Sequence, residues 1–155
     1  MPEEFRLAHL DTSTLVKPEA EFLKELLSEM EAAGCDPTSL READAYTIID
    51  EGHIQTLSLN GGRGYGARLS KIPPSIKHLS HLDDLGLINL NLPEIPTEIL
   101  LCSELFQLNL YGNRLRHWGD EFAALNKLRV LVLENNPLVY IHSYQDHPVD
   151  RKSVV

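Results

Sequence analysis

Residues 57–71 read LSLNGGRGYGARLSK. Four glycines, two arginines and a tyrosine after a short alternating run have the composition of a phosphate-cradling loop, where backbone N–H groups and a basic side chain neutralise an anion. The spacing does not complete such a loop. Gly61-xxxx-Gly66 is followed by Ala67-Arg68 instead of Lys-Ser/Thr, and Gly62-x-Gly64 lacks the third glycine of a dinucleotide fingerprint. No helix-forming segment follows to supply an N-terminal dipole. One Arg-Gly-Tyr without basic surroundings is not an RNA-binding array either.

The other residue types that could do chemistry are histidines and carboxylates. His78-x-x-His81 with Asp83 and Asp84 is the best metal-like cluster, since imidazole and carboxylate are zinc ligands. The histidines precede a strand-like run and the aspartates begin it, so the four are expected on different faces and solvated. His142 and His147 sit in the tail with no third ligand at a recognisable metal-site spacing. No nucleophile is spaced with a base, and no serine sits in an elbow motif. The expectation is a protein that is not an enzyme, with no metal and no cofactor. Cys35 and Cys102 are too few for a disulfide framework and read as buried free thiols.

The chain that must position these residues has 155 of them, enough for one domain with a sizeable core. Mean hydropathy is −0.19, and no apolar run approaches the roughly 18 residues of a membrane span. The start, MPEEFRLAHL, has two acids where a signal peptide needs basic residues. These features predict a soluble, cytoplasmic protein that does not engage membranes. The net charge of −9 lies wholly in residues 1–53, with thirteen acids and four bases, while residues 54–155 carry ten of each. Such a surface repels phosphate backbones, which argues against nucleic acid as a partner.

A fixed period organises the second half. Leu82-x-x-Leu85-x-Leu87 recurs as Leu105-x-x-Leu108-x-Leu110 and Leu128-x-x-Leu131-x-Leu133, each 23 residues after the last, with Leu92, Leu115 and Leu138 in register. Asn113 and Asn136 fill a turn slot that Leu90 occupies in the first of these blocks, between Asn89 and Asn91. Leu69-x-x-Ile72-Pro73-x-x-Ile76 matches Leu92-x-x-Ile95-Pro96-x-x-Ile99, and Leu115-x-x-Trp118-Gly119-x-x-Phe122 keeps the apolar slots but loses the proline. Each LxxLxL makes a short strand with leucines inward, and stacking buries the apolar faces in one continuous core.

This pattern resembles the leucine-rich repeat family in its 23-residue form. The resemblance implies an α/β solenoid: a short horseshoe with a parallel concave sheet, its repeats starting at Ile54, Leu82, Leu105 and Leu128 and running over residues 54–141. In the first repeat, Leu69 follows Ile54 by fifteen residues rather than ten, so the glycine stretch is a five-residue insertion in a turn. Arg63, Tyr65 and Arg68 could reach a partner from there.

Residues 1–53 read as an acidic cap. An amphipathic helix over about 18–33 opens at Pro18 with Glu19 and Glu21 in its first turn and closes at Gly34. A hairpin with a strand over about 46–50 turns at Asp50-Glu51-Gly52. Residues 142–155 form a polar tail whose Ser153-Val154-Val155 end resembles a PDZ-domain ligand.

The resemblance places binding on the concave face. Its outward positions form three columns: Thr56, Asp84, Gln107, Val130; Ser58, Gly86, Asn109, Val132; and Asn60, Ile88, Tyr111, Glu134, flanked by Phe106 and Arg129. Phe106, Tyr111, Ile88, Val130 and Val132 are expected as exposed apolar groups, edged by Asp84, Gln107, Asn109 and Glu134. The expected function is a protein–protein interaction module, an adaptor or regulatory subunit, monomeric or weakly homo-oligomeric. The alternatives are a self-associating structural module, or a ligand-binding protein using the loop at 60–68.

Overall fold

The computed structural model describes residues 3–6, 11–41, 44–62 and 66–141, with backbone alone at 3–6, 140 and 141. Arg63, Tyr65 and the tail 142–155 with its Ser153-Val154-Val155 end lie outside them. The elements are β1 (Glu3–Arg6), α1 (Lys17–Ala32), β2 (Ala45–Asp50), β3 (His53–Asn60), β4 (Asp84–Ile88), β5 (Gln107–Asn109), β6 (His117–Trp118), β7 (Val130–Val132) and β8 (Tyr140–Ile141). One sheet runs in the order β1-β2-β3-β4-β5-β7, and a second, separate two-stranded sheet joins β6 to β8.

The sheet from β3 to β7 is parallel, and its register follows the leucine period. Leu85, Leu108 and Leu131 are successive Cα partners 23 residues apart. Leu57 pairs with Leu85, a step five residues longer, so the glycine insertion lengthens the loop without shifting the register. Leu57, Leu59, Leu85, Leu87, Leu108, Leu110, Leu131 and Leu133 are all buried. A one-residue slip would turn every one of them to solvent, which is why the pairing is strongly specified.

Short 3-10 segments return the chain along the opposite side. They begin at Pro74, Thr97 and Asp120, again 23 residues apart. Pro73 and Pro96 precede the first two, where a fixed φ pre-sets the turn. Ile76, Ile99 and Phe122 point inward from them. In the third copy, where Gly119 replaces the proline, Trp118 stacks on Phe122 with ring centroids 3.9 Å apart. Large aromatic area takes the place of proline stiffness there.

The N-terminal third packs onto the first repeat. Phe22, Leu23, Leu26 and Met30 form the buried stripe of α1, each contributing roughly 1.5–3 kcal/mol by burial. The helix ends in a Schellman motif: Cys35 N–H donates to Met30 O at 3.0 Å, and Gly34, at φ 76°, donates to Glu31 O at 2.9 Å. Helix α1 rests on the 3-10 segment Pro74–His78, with Lys71 paired to Glu29 at 3.1 Å at its rim. The β2–β3 hairpin turns through Glu51 and Gly52, both at positive φ (50° and 81°), a two-residue loop that matches strand twist. Gly52 is required twice over, since a Cβ there would sit 2.9 Å from Thr14 O. A mostly parallel sheet with one long helix makes this a solenoid-like α/β fold.

Candidate protein-binding face

The face opposite the leucines is built from alternate residues of β2, β3, β4, β5 and β7. Strand register sets its rows: Ile48, Thr56, Asp84, Gln107, Val130 in one and Tyr46, Ser58, Gly86, Asn109, Val132 in the next. Asn60 and Ile88 begin a third, which Tyr111 and Glu134 continue beyond the strand ends. Tyr46 and Ile48 are additions that the repeat period does not reach, because β2 is antiparallel and lies outside the repeats. The alternation in Tyr46-Thr47-Ile48 is their signal, and Thr47 points inward with Oγ1 donating to Thr56 O at 2.8 Å.

The apolar members are less exposed than the sequence predicts. Ile88, Tyr111, Val130 and Val132 are half-buried, because neighbouring rows shield one another at strand spacing. Phe106, at 47% exposure, is the exposed one. It lies one residue before β5 in a marginal row with Gln55, Asp83 and Arg129, joined by N–H···O bonds of 2.8 Å each.

Polar groups on the face are tied to one another. Gln107 Nε2 donates to Asp84 Oδ2 at 3.1 Å, Gln55 Nε2 to Asp50 Oδ2 at 3.2 Å, and Asn135 Nδ2 to the Tyr111 hydroxyl. Asn109 Oδ1 accepts from Tyr111 N–H at 3.1 Å. Partial burial and the neighbouring Asp83 push the Asp84 carboxyl above its ordinary value, against the pull of Gln107. Glu134 is exposed at the far margin. Gly86 leaves a dip in the centre, and a Cβ there would come within 2.9 Å of Ser58 Oγ.

The glycine loop has a structural reason. A Cβ on Gly61 would meet Asn89 O at 2.3 Å, and one on Gly66 would meet Asn60 O at 2.6 Å, so both permit backbone to press on backbone. Three of its N–H groups are already used: Gly61 donates to Ile88 O, Gly62 to Asn60 Oδ1 and Ala67 to Asn60 O, each at 2.9 Å. Arg68 lies across the end of α1, its Nη1 3.4 Å from Gly34 O.

The four metal-type residues read from sequence are not gathered as a group. His78 is exposed at the end of its 3-10 segment, Asp83 is exposed and Asp84 faces Gln107. His81 meets partners from far away instead: its ring stacks on His53, centroids 3.8 Å apart and planes 26° apart. His53 Nδ1 is 2.9 Å from Oε1 of Glu19, which is 1% exposed, and Glu19 Oε2 accepts from Ile54 N–H at 2.7 Å. Sequence separations of 28 and 34 residues hide this cluster from any motif.

Comparison with known proteins supports the fold. The structure is similar to the leucine-rich-repeat ectodomain of the receptor kinase SOBIR1 from Arabidopsis thaliana, with a TM-score of 0.56 and 24% identity, covering 79% of this chain and 68% of that one. The molecule therefore has a leucine-rich-repeat-like fold. No protein-family profile matches the chain. A curated protein from Xanthomonas campestris pv. campestris (strain 8004), named uridine 5'-monophosphate transferase, is 34% identical over 71 residues. That match covers 45% of this chain and spans 13% of the relative's length.

Proposed function

We propose that this chain is a non-catalytic protein-interaction module, an adaptor or regulatory subunit, that holds a protein partner along its concave sheet. Helix α1 and the β2–β3 hairpin serve as the cap of the first repeat. The observation that carries the reading is the run of half-buried apolar side chains, Tyr46, Ile48, Ile88, Tyr111, Val130 and Val132, on a rigid sheet between acidic Asp50, Asp84 and Glu134. An apolar centre with a polar rim is the anatomy of an interface. The three rows themselves hold no Lys or Arg, and Arg129 lies only in the marginal row beside Phe106, so the partner's complementary surface is apolar with cationic groups facing Asp84 and Glu134. The transferase activity named for the Xanthomonas relative belongs to a protein of which this chain matches 13% of the length, and the reading does not rest on it. Two buried free thiols accord with a reducing, cytoplasmic setting.

The test is capture of partners by the native chain, by Phe106→Glu/Tyr111→Glu, and by Leu101→Glu, a convex-side control whose leucine is 61% exposed. Loss by the concave variant alone is expected; retention by it sinks the reading. Self-association is the second reading, favoured by β7 as the last strand in the sheet order. A mass that climbs with concentration, measured by sedimentation, would select it.

A further inference from the structure

We propose that Glu19, His53 and His81 form a binding site for a divalent transition-metal ion, zinc above all, which staples the helix to the first two repeats. One ligand atom from each of the three lies within 4.8 Å of the other two, and among the described residues this is the group of that kind. Three distant segments supply it: the first turn of α1, the start of β3, and the loop before β4.

The geometry is that of a site one rotation from closed. Four ligands around zinc, at about 2.0–2.1 Å from it, stand roughly 3.3 Å from one another. Glu19 Oε1 and His53 Nδ1, 2.9 Å apart, are already near that separation. Replacing the shared proton by a metal ion keeps both groups in place, and the Ile54 N–H continues to hold the other carboxylate oxygen. The His81 ring lies against His53, so the two in-plane lone pairs run side by side instead of converging. His81 is exposed and its Nδ1 touches Ser80 Oγ at 3.1 Å, so turning the ring toward Glu19 displaces little. Two imidazoles and one carboxylate, with solvent at the fourth position, suit zinc or its borderline neighbours rather than magnesium or calcium, which take oxygen ligands.

The test uses the full chain with zinc chloride alone. Zinc at about a hundred times its Kd is expected to raise Tm by about 5–10 °C, whereas magnesium leaves it unchanged. Cobalt in place of zinc is expected to give a visible ligand-field band. His81→Ala, altering an exposed ring, is expected to fold and to lose both effects, while His78→Ala keeps both. The proposal is overturned if zinc leaves the Tm of the native chain unmoved, if the shift and band persist in His81→Ala, or if His78→Ala loses them equally. The cobalt spectrum reads coordination directly, so a general loss of stability in a variant cannot imitate a lost ligand.

Discussion

Asn113 reaches back one repeat to Leu87, donating from Nδ2 to its carbonyl at 2.6 Å, and donates again to Leu110 O at 2.9 Å. Its Oδ1 accepts the N–H groups of Leu90 and Leu92 at 3.1 Å each. A buried side-chain amide thus completes the backbone hydrogen bonding of two successive turns. Asn136 repeats the device with Leu110 O, Leu133 O and Leu115 N–H.

Asn113→Ala is expected to cost about 2–4 kcal/mol, because several buried backbone groups lose their partner together. Asn113→Asp should be at least as damaging at neutral pH, since an ionised carboxylate cannot donate to Leu87 O and Leu110 O. Urea denaturation of both variants measures this. An aspartate variant as stable as the native chain would refute the assignment.

Glu19→Gln removes a charge-assisted acceptor from His53 and Ile54 and is expected to cost about 1–3 kcal/mol. Glu19→Ala should cost more. Loss of protection at the Ile54 amide in hydrogen exchange would locate the effect at the hairpin. Protection unchanged in either variant would contradict it.

Asp84 gives a pH signature. Its carboxyl is pushed up in the folded state, so its contribution is most favourable when protonated and fades as pH rises through the raised value. Asp84→Asn should therefore stabilise the fold at neutral pH and make less difference below the ordinary carboxylate range. Solvent screening at this half-exposed position keeps the gain under about 1 kcal/mol. A variant less stable at pH 7 than the native chain would mean that the Gln107 bond outweighs burial and Asp83.

Burial pushes the Cys102 thiol up to about 12, and its Sγ donates to Ile76 O at 3.3 Å. At pH 8 the group therefore stays in the unreactive neutral thiol form. Alkylation in the native state should leave Cys102 unmodified over hours, with full labelling in denaturant, as read by mass spectrometry. Fast native labelling would show that the 3-10 segments open locally.

The sheet was the most legible part of the chain, because register depends on period and the period is written in the leucines. Leu85, Leu108 and Leu131 align by arithmetic, and the surplus between Ile54 and Leu69 marks the inserted loop. The helix was legible from its own punctuation at Pro18 and Gly34. What a helical pattern cannot show is a partner 34 residues away. Glu19 reads as a first-turn acid that suits the helix dipole, yet it is a buried acceptor for the hairpin. Tyr46 and Ile48 join the face opposite the leucines through antiparallel pairing, with a bulge between Ile48 and Ile49, which lies outside the repeat rule. Gly61 and Gly66 look chemical in sequence because close packing of backbone on backbone demands the same residue as a phosphate cradle does.

Strand order gives the molecule a direction under load. From β3 to β7 each parallel strand follows its neighbour in sequence, so tension on the C-terminal side meets β8 on β6 first, then β7, β5 and β4 in turn. Every 23-residue unit drawn off lengthens the chain by about 80 Å. The pull then arrives at the hairpin, where Glu19 binds helix to strand and several attachments must yield together. Extension is expected to proceed by small steps before one larger break, which single-molecule pulling from the C-terminal side would read.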